Sequence, residues 1–199
     1  MKKTIWKVRR KLHSCKAFSL VELLFSILIL MLSTTVIIQC FNLGVGNFVR
    51  ETRASEAQLL CSALATSIQN ELSYAQDIKI DGSGKLESYY SCARRMGSGS
   101  KIIVDDGQLF ITSDDVTDAY PLVAPSNYTA SNRAGVKGGG KFFIAYLKDN
   151  AIEWNASKKV FEVTIWVDDA TKAPLSADAA KDNALAYSKF CVKPMAGAE

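Results

Sequence analysis

A chain of 199 residues, 48% hydrophobic and 22% charged, carries enough apolar side chain to build a folded domain. Its formal charge of +4 is concentrated at one end: Lys2, Lys3, Lys7, Arg9, Arg10, Lys11 and Lys16 are seven of the 24 basic residues, and residues 1–17 contain no acidic one. Without that stretch 17 basic residues face 20 acidic ones, a net of −3, so overall basicity gives no argument for nucleic-acid binding.

Residues 1–17 read as a basic leader, and residues 18–41 as an apolar helix, FSLVELLFSILILMLSTTVIIQCF, whose single charge is Glu22. About 20 apolar residues suffice to cross a bilayer, so this segment is expected to span one. Positive charge ahead of a span holds that end in the cytoplasm and sends the rest outward. A secretory signal is cut after its apolar region, at a small-residue site. Here the charged leader abuts the apolar run directly, which leaves three courses: cleavage before the run, an uncleaved single-pass anchor carrying an extracytoplasmic binding domain, or lipoprotein processing at Cys40. The last normally needs a small residue before the cysteine, and Gln39 stands there.

The junction Lys16-Ala17-Phe18-Ser19-Leu20-Val21-Glu22-Leu23-Leu24 resembles the processing site of type IV pilins and the related pseudopilins of secretion and competence systems. The resemblance implies that a prepilin peptidase cuts between Ala17 and Phe18, where the family more often has Gly than Ala at the position of Ala17. Phe18 would then be the N-methylated first residue and Glu22 the fifth. In the cytoplasmic membrane an intramembrane carboxylate points to function. The new amine of Phe18, titrating near the usual ~7.7–8.0 of α-amines, is a natural partner for it. The family implies that the pairing subunit is a neighbour, which makes Glu22 an assembly residue. It also implies partners (prepilin peptidase, other pilin or pseudopilin subunits, and lipid before assembly), a filament outside the membrane, and no cofactor. A mature length of 182 residues resembles the bulkier minor or tip subunits.

Residues 42–77 are expected to continue the helix as an exported amphipathic half. Ala57, Cys61, Leu64, Ile68, Leu72 and Ala75 make one stripe, with Arg50, Arg53, Glu56, Gln69 and Glu71 opposite. Gly44 and Gly46 are two poor helix formers inside it, each costing about 1 kcal/mol relative to Ala. Residues 78–199 are expected to form an antiparallel sheet region. Lys101–Val104 and Gln108–Thr112 flank Asp106-Gly107, a strong hairpin signal. Lys141–Leu147 and Val160–Val167 form a second strand pair, Ser126–Gly140 a loop, and Tyr187–Val192 a last strand. Helix followed by antiparallel strands is an α+β pattern, and it fits the pilin-like fold of a long N-terminal helix packed on a sheet. Ile103, Phe110, Phe143, Ile144, Val163 and Ile165 are the candidate core residues of those strands.

Cys15 lies in the leader, Cys40 at the outer end of the span and Cys61 on the helix stripe. Cys92 and Cys191 fall in the exported region, where a disulfide between them would close a long loop. Cys61–Cys92 is a rival pairing, and three free thiols a third arrangement. The disulfide-bounded C-terminal region of many pilins favours Cys92 with Cys191. No enzyme is expected: the only histidine, His13, lies in the leader, and Gly138-Gly139-Gly140-Lys141 lacks the spacing of a phosphate loop. No metal site is expected either. The acidic pairs Asp105-Asp106, Asp114-Asp115 and Asp168-Asp169 fall short of the six to eight oxygens that calcium takes.

Overall fold

The structure, a computed structural model, describes residues 20–92, 99–114, 116–128 and 142–195. Helix α1 runs over Leu20–Ser73, 54 residues. The strands are β1 (Ala75–Ile80), β2 (Leu86–Ser91), β3 (Lys101–Asp105), β4 (Gln108–Ser113), β5 (Val116–Pro121), β6 (Phe143–Leu147), β7 (Glu153–Asn155), β8 (Val160–Asp169) and β9 (Ala186–Val192). A short helix α2 (Ala177–Asn183) precedes β9, its first turn capped by the Ser176 hydroxyl, which accepts from Ala179 N. The class is α+β, with every strand pair antiparallel. The chain divides into two compact units, Met1–Arg50 and Glu51–Glu199, with the boundary inside α1.

In the second unit α1 is one-sided. Ala57, Cys61, Leu64, Ile68 and Leu72 are buried, together with Leu60, and Ala75 follows them in β1. The expected polar side needs correcting at Glu71, which is only 3% exposed. Its position explains this: Glu71 is three residues beyond Ile68 and seven beyond Leu64, so helical spacing puts it on the stripe. Its carboxylate accepts from the Tyr89 hydroxyl at 3.4 Å and from the Ser91 hydroxyl, tying the helix to β2. Arg53 is likewise half-buried, its guanidinium over the Phe142 ring and 3.6 Å from Asp169.

α1 stops at Ser73 rather than reaching residue 77, because Ala75–Ile80 pair with Leu86–Ser91 instead. Asp77 has φ +49°, outside the helical region, at an irregularity in that pairing. The reversal is built by Asp81, whose carboxylate accepts from Ser83 N at 2.9 Å and Lys85 N at 2.7 Å.

β3, β4 and β5 form one sheet in that order. Asp105 faces Gln108 across a two-residue turn, with φ +45° at Asp106 and +72° at Gly107, the signature of the hairpin turn read from Asp-Gly. The alternation is the reverse of that expected: Ile102, Leu109 and Ile111 are buried, whereas Ile103 and Phe110 are half-buried on the other side.

β8 is the centre of the last sheet. β9 pairs with one edge over Phe161–Val167, and β6 and β7 share the other. Phe161, Val163, Ile165 and Val167 point into the core with Phe143, Ala145 and Leu147 of β6. Ile144, expected in the core, is half-buried beside Gly107 of the β3–β4 turn, which β6 holds through Ala145 N, donating to Gly107 O at 2.9 Å. Of Ser126–Gly140, the described part includes a short 3₁₀ turn, Pro125–Tyr128, that buries Tyr128 completely; residues 129–141 lie outside the described residues. Leu109 N donates to the Tyr128 hydroxyl at 3.4 Å, and burial pushes that hydroxyl up to about 12.

A Cβ added at Gly107 would lie 2.5 Å from Ile144 Cγ2, whereas one at Gly84 (φ +82°) meets only Trp154 O, at 3.9 Å. Gly107→Ala is therefore expected to cost about 2–4 kcal/mol of unfolding free energy and Gly84→Ala about 1. Denaturant titration of the two variants checks this, and equal losses would mean that the turn is not seated on β6.

Candidate functional site: a lone carboxylate in an apolar helix

From Leu20 to Val49, about 30 residues and so about 45 Å of helix, α1 carries one charged side chain, Glu22. Its large apolar side chains are exposed on every side, from Leu20 (81%) through Leu30 (65%) and Phe41 (71%) to Phe48 (71%). A helix that is hydrophobic all round belongs in a core or a bilayer. Among the described residues it is the one helix long and apolar enough to cross a membrane, which makes it a candidate anchor.

Its hydroxyls are satisfied within the helix. Ser26 Oγ donates to Glu22 O at 2.8 Å, Ser33 Oγ to Ile29 O at 2.8 Å, Thr34 Oγ1 to Leu30 O at 2.5 Å and Thr35 Oγ1 to Leu32 O at 2.7 Å. These bonds spare each hydroxyl the cost of being unpaired in hydrocarbon. The helix also runs unbroken through Gly44 and Gly46, and a Cβ at either would meet nothing within 4 Å. No packing within the described chain requires glycine there.

Glu22 stands in the first turn of α1 and is exposed. Among the described residues its side chain has no hydrogen bond or ion pair. The positive end of the helix dipole favours a carboxylate at this place, by about 0.3–1 kcal/mol at an exposed site. That gain is smaller than the roughly 2.5–3.5 kcal/mol that insertion scales assign to a charge deep in a bilayer. A cation near it would change the balance. The proposed cleavage residues Ala17 and Phe18 lie outside the described residues.

Among the described residues four cysteines are free: Cys40 and Cys191 exposed, Cys92 half-buried, Cys61 buried. Of the three arrangements open from the sequence, the structure has the one with free thiols at Cys61, Cys92 and Cys191. Cys92 follows β2 in the β1–β2 sheet, whereas Cys191 lies on β9 opposite Glu162 in another sheet. Cys61 lines a groove of about 550 Å³ between Gln58–Gln69 of α1 and Lys181–Ser188. Burial pushes its thiol up to about 11, which keeps it protonated and unreactive at neutral pH. The acidic pair Asp168-Asp169 is matched by cations, with Lys172 Nζ 3.1 Å from Asp168 and Arg53 3.6 Å from Asp169. Among the described residues, no three His, Cys, Asp or Glu side chains are grouped to share an ion.

Comparison of the chain with known protein families, curated proteins and solved structures gives no match.

Alkylation of the native protein at pH 8 is expected to label Cys191 while leaving Cys61 untouched until denaturant is added. The raised thiol makes its thiolate roughly 100-fold scarcer than that of an ordinary cysteine, before steric protection is counted. Peptide mass spectrometry reads both sites, and early labelling of Cys61 would place it outside the core.

Proposed function

We propose that the chain is a prepilin-like structural subunit, cut between Ala17 and Phe18 and built into a type IV pilus or pseudopilus through its N-terminal helix. The observation that carries this reading is Glu22: one carboxylate, in the first turn of a helix otherwise uncharged for about 30 residues, just after a leader whose charges are all basic. An anchor alone has no use for that charge. Cleavage gives it one, because the new amine of Phe18 is the cation that a carboxylate in low dielectric requires. When subunits stack, each amine meets the Glu22 of a neighbour, and the pair sets the axial register. The subunit's exported part then acts by its surface, at a minor or tip position of the filament.

Two measurements test this. The protein extracted from membranes is expected to begin at Phe18, N-methylated, by intact-mass and N-terminal peptide analysis. An N-terminus at Met1 would favour the uncleaved anchor, and one at Cys40 a lipoprotein. Glu22→Ala is expected to leave cleavage and insertion unchanged and to lower the subunit's share of sheared filaments at least tenfold, the effect of losing about 1.4 kcal/mol of pairing free energy. Unchanged incorporation would remove the register role.

A further inference from the structure

β9 pairs with β8 along one edge, and among the described residues no strand and no main-chain hydrogen bond reaches its other edge. Ala186, Tyr187 and Ser188 of β9 all line the groove of about 550 Å³ that Cys61 also lines. Consecutive strand residues point alternately to the two faces of a sheet. A groove that meets three in a row therefore meets the strand along its edge, where every second residue offers a free N–H and C=O. The facing wall is one side of α1: Gln58, Cys61, Ser62, Ala65, Thr66 and Gln69 recur at helical spacing next to the buried stripe. From Gln58 to Gln69 this wall extends about 16 Å, the length of about five residues of extended chain.

The lining suits a polypeptide. Ala65, Ala184 and Ala186 are small enough to let a main chain approach. Thr66 Oγ1 donates to Ser62 O at 2.9 Å, but the Gln58 and Gln69 amides make no hydrogen bond among the described residues. A side-chain amide both donates and accepts, as a peptide unit does. Lys181 of α2 is the one charged residue of the lining, and among the described residues it has no ion pair. Asp178 and Asp182 flank it on α2 but do not line the groove. A second β9 fits badly, because that strand carries Lys189 and no acidic residue and would set like charges against each other.

We propose that this groove takes an extended segment of a partner protein, which carries a carboxylate and adds to β9 as a further strand. Main-chain hydrogen bonds to the free edge supply the affinity, and Lys181 selects the acidic side chain. Gln58 and Gln69 hold peptide groups of the segment from the α1 side. Lys189 is exposed and is the first β9 residue beyond the groove, where a lysine guards the rest of the edge against indiscriminate pairing. All the lining residues lie within the compact unit Glu51–Glu199, so the site is independent of how the N-terminal helix is processed.

The test uses the full-length protein in detergent and the capped peptide Thr-Val-Thr-Asp-Thr-Val-Thr, with hydrogen exchange of the β9 amides as the readout. At about 5 mM, for the millimolar affinity of a short strand, the peptide is expected to slow about fivefold the alternate amides of β9 that point away from β8. The same peptide N-methylated throughout its main chain, and so unable to donate, is expected to protect none of them. Lys181→Glu is expected to weaken the Asp peptide about fivefold and to prefer the peptide with Lys in place of Asp. That exchange of preference also shows that the variant is folded. Unchanged exchange across β9 with the Asp peptide, or equal protection of the native protein by the Asp and Lys peptides, overturns the proposal. Protection of β9 that needs no peptide and grows with protein concentration would place a second copy on the edge, and it overturns the acidic partner as well.

Discussion

Between Leu20 and Val49 no side of the helix is polar, and among the described residues every member of the main core cluster lies at Ala57 or beyond. This constraint governs the rest. A surface of that kind is stable only against hydrocarbon or against other apolar helices, which is why its hydroxyls turn back to the helix carbonyls. From Ala57 the same element has a single apolar side, which the sheets bury. The change comes within a few residues, at Arg50, Glu51 and Arg53, and the boundary between the two compact units falls there. The second unit therefore has a core of its own.

Periodicity was readable in the sequence where one side of an element is apolar and the other is not. The stripe from Ala57 to Leu72 is such a case, and so is β8, in which Val163 and Ile165 alternate with Glu162, Thr164 and Trp166. It was silent for β3 and β4, because Ile102-Ile103-Val104 and Leu109-Phe110-Ile111 are apolar in both phases. Only the packing of the sheet decides which phase is buried. Glu71 was misplaced by its chemistry, its helical position being outweighed by the assumption that a carboxylate faces water. The end of α1 was missed because no proline or glycine stands between Gly46 and Asp81, and the pairing that ends it comes from residues more than ten positions beyond Ser73. The candidate site was legible for a simple reason: a lone charge in an apolar run is a property of the string of residues itself. The pairing of cysteines depends on which strands become neighbours, and no one-dimensional signal reports that.

Tyr128 also escaped notice, as one aromatic among serines, asparagines and glycines, yet it anchors the neck of a long connection. Its carbonyl accepts from Phe142 N at 2.8 Å, and its ring is fully buried. Tyr128 and Phe142 are therefore joined by a main-chain hydrogen bond although a long stretch of sequence separates them. Lengthening a loop closed in this way adds only loop entropy, about 0.6 kcal/mol for each doubling, and leaves the strands on either side in register. Sequence drift and insertions at this place are thus uncoupled from the stability of the sheet.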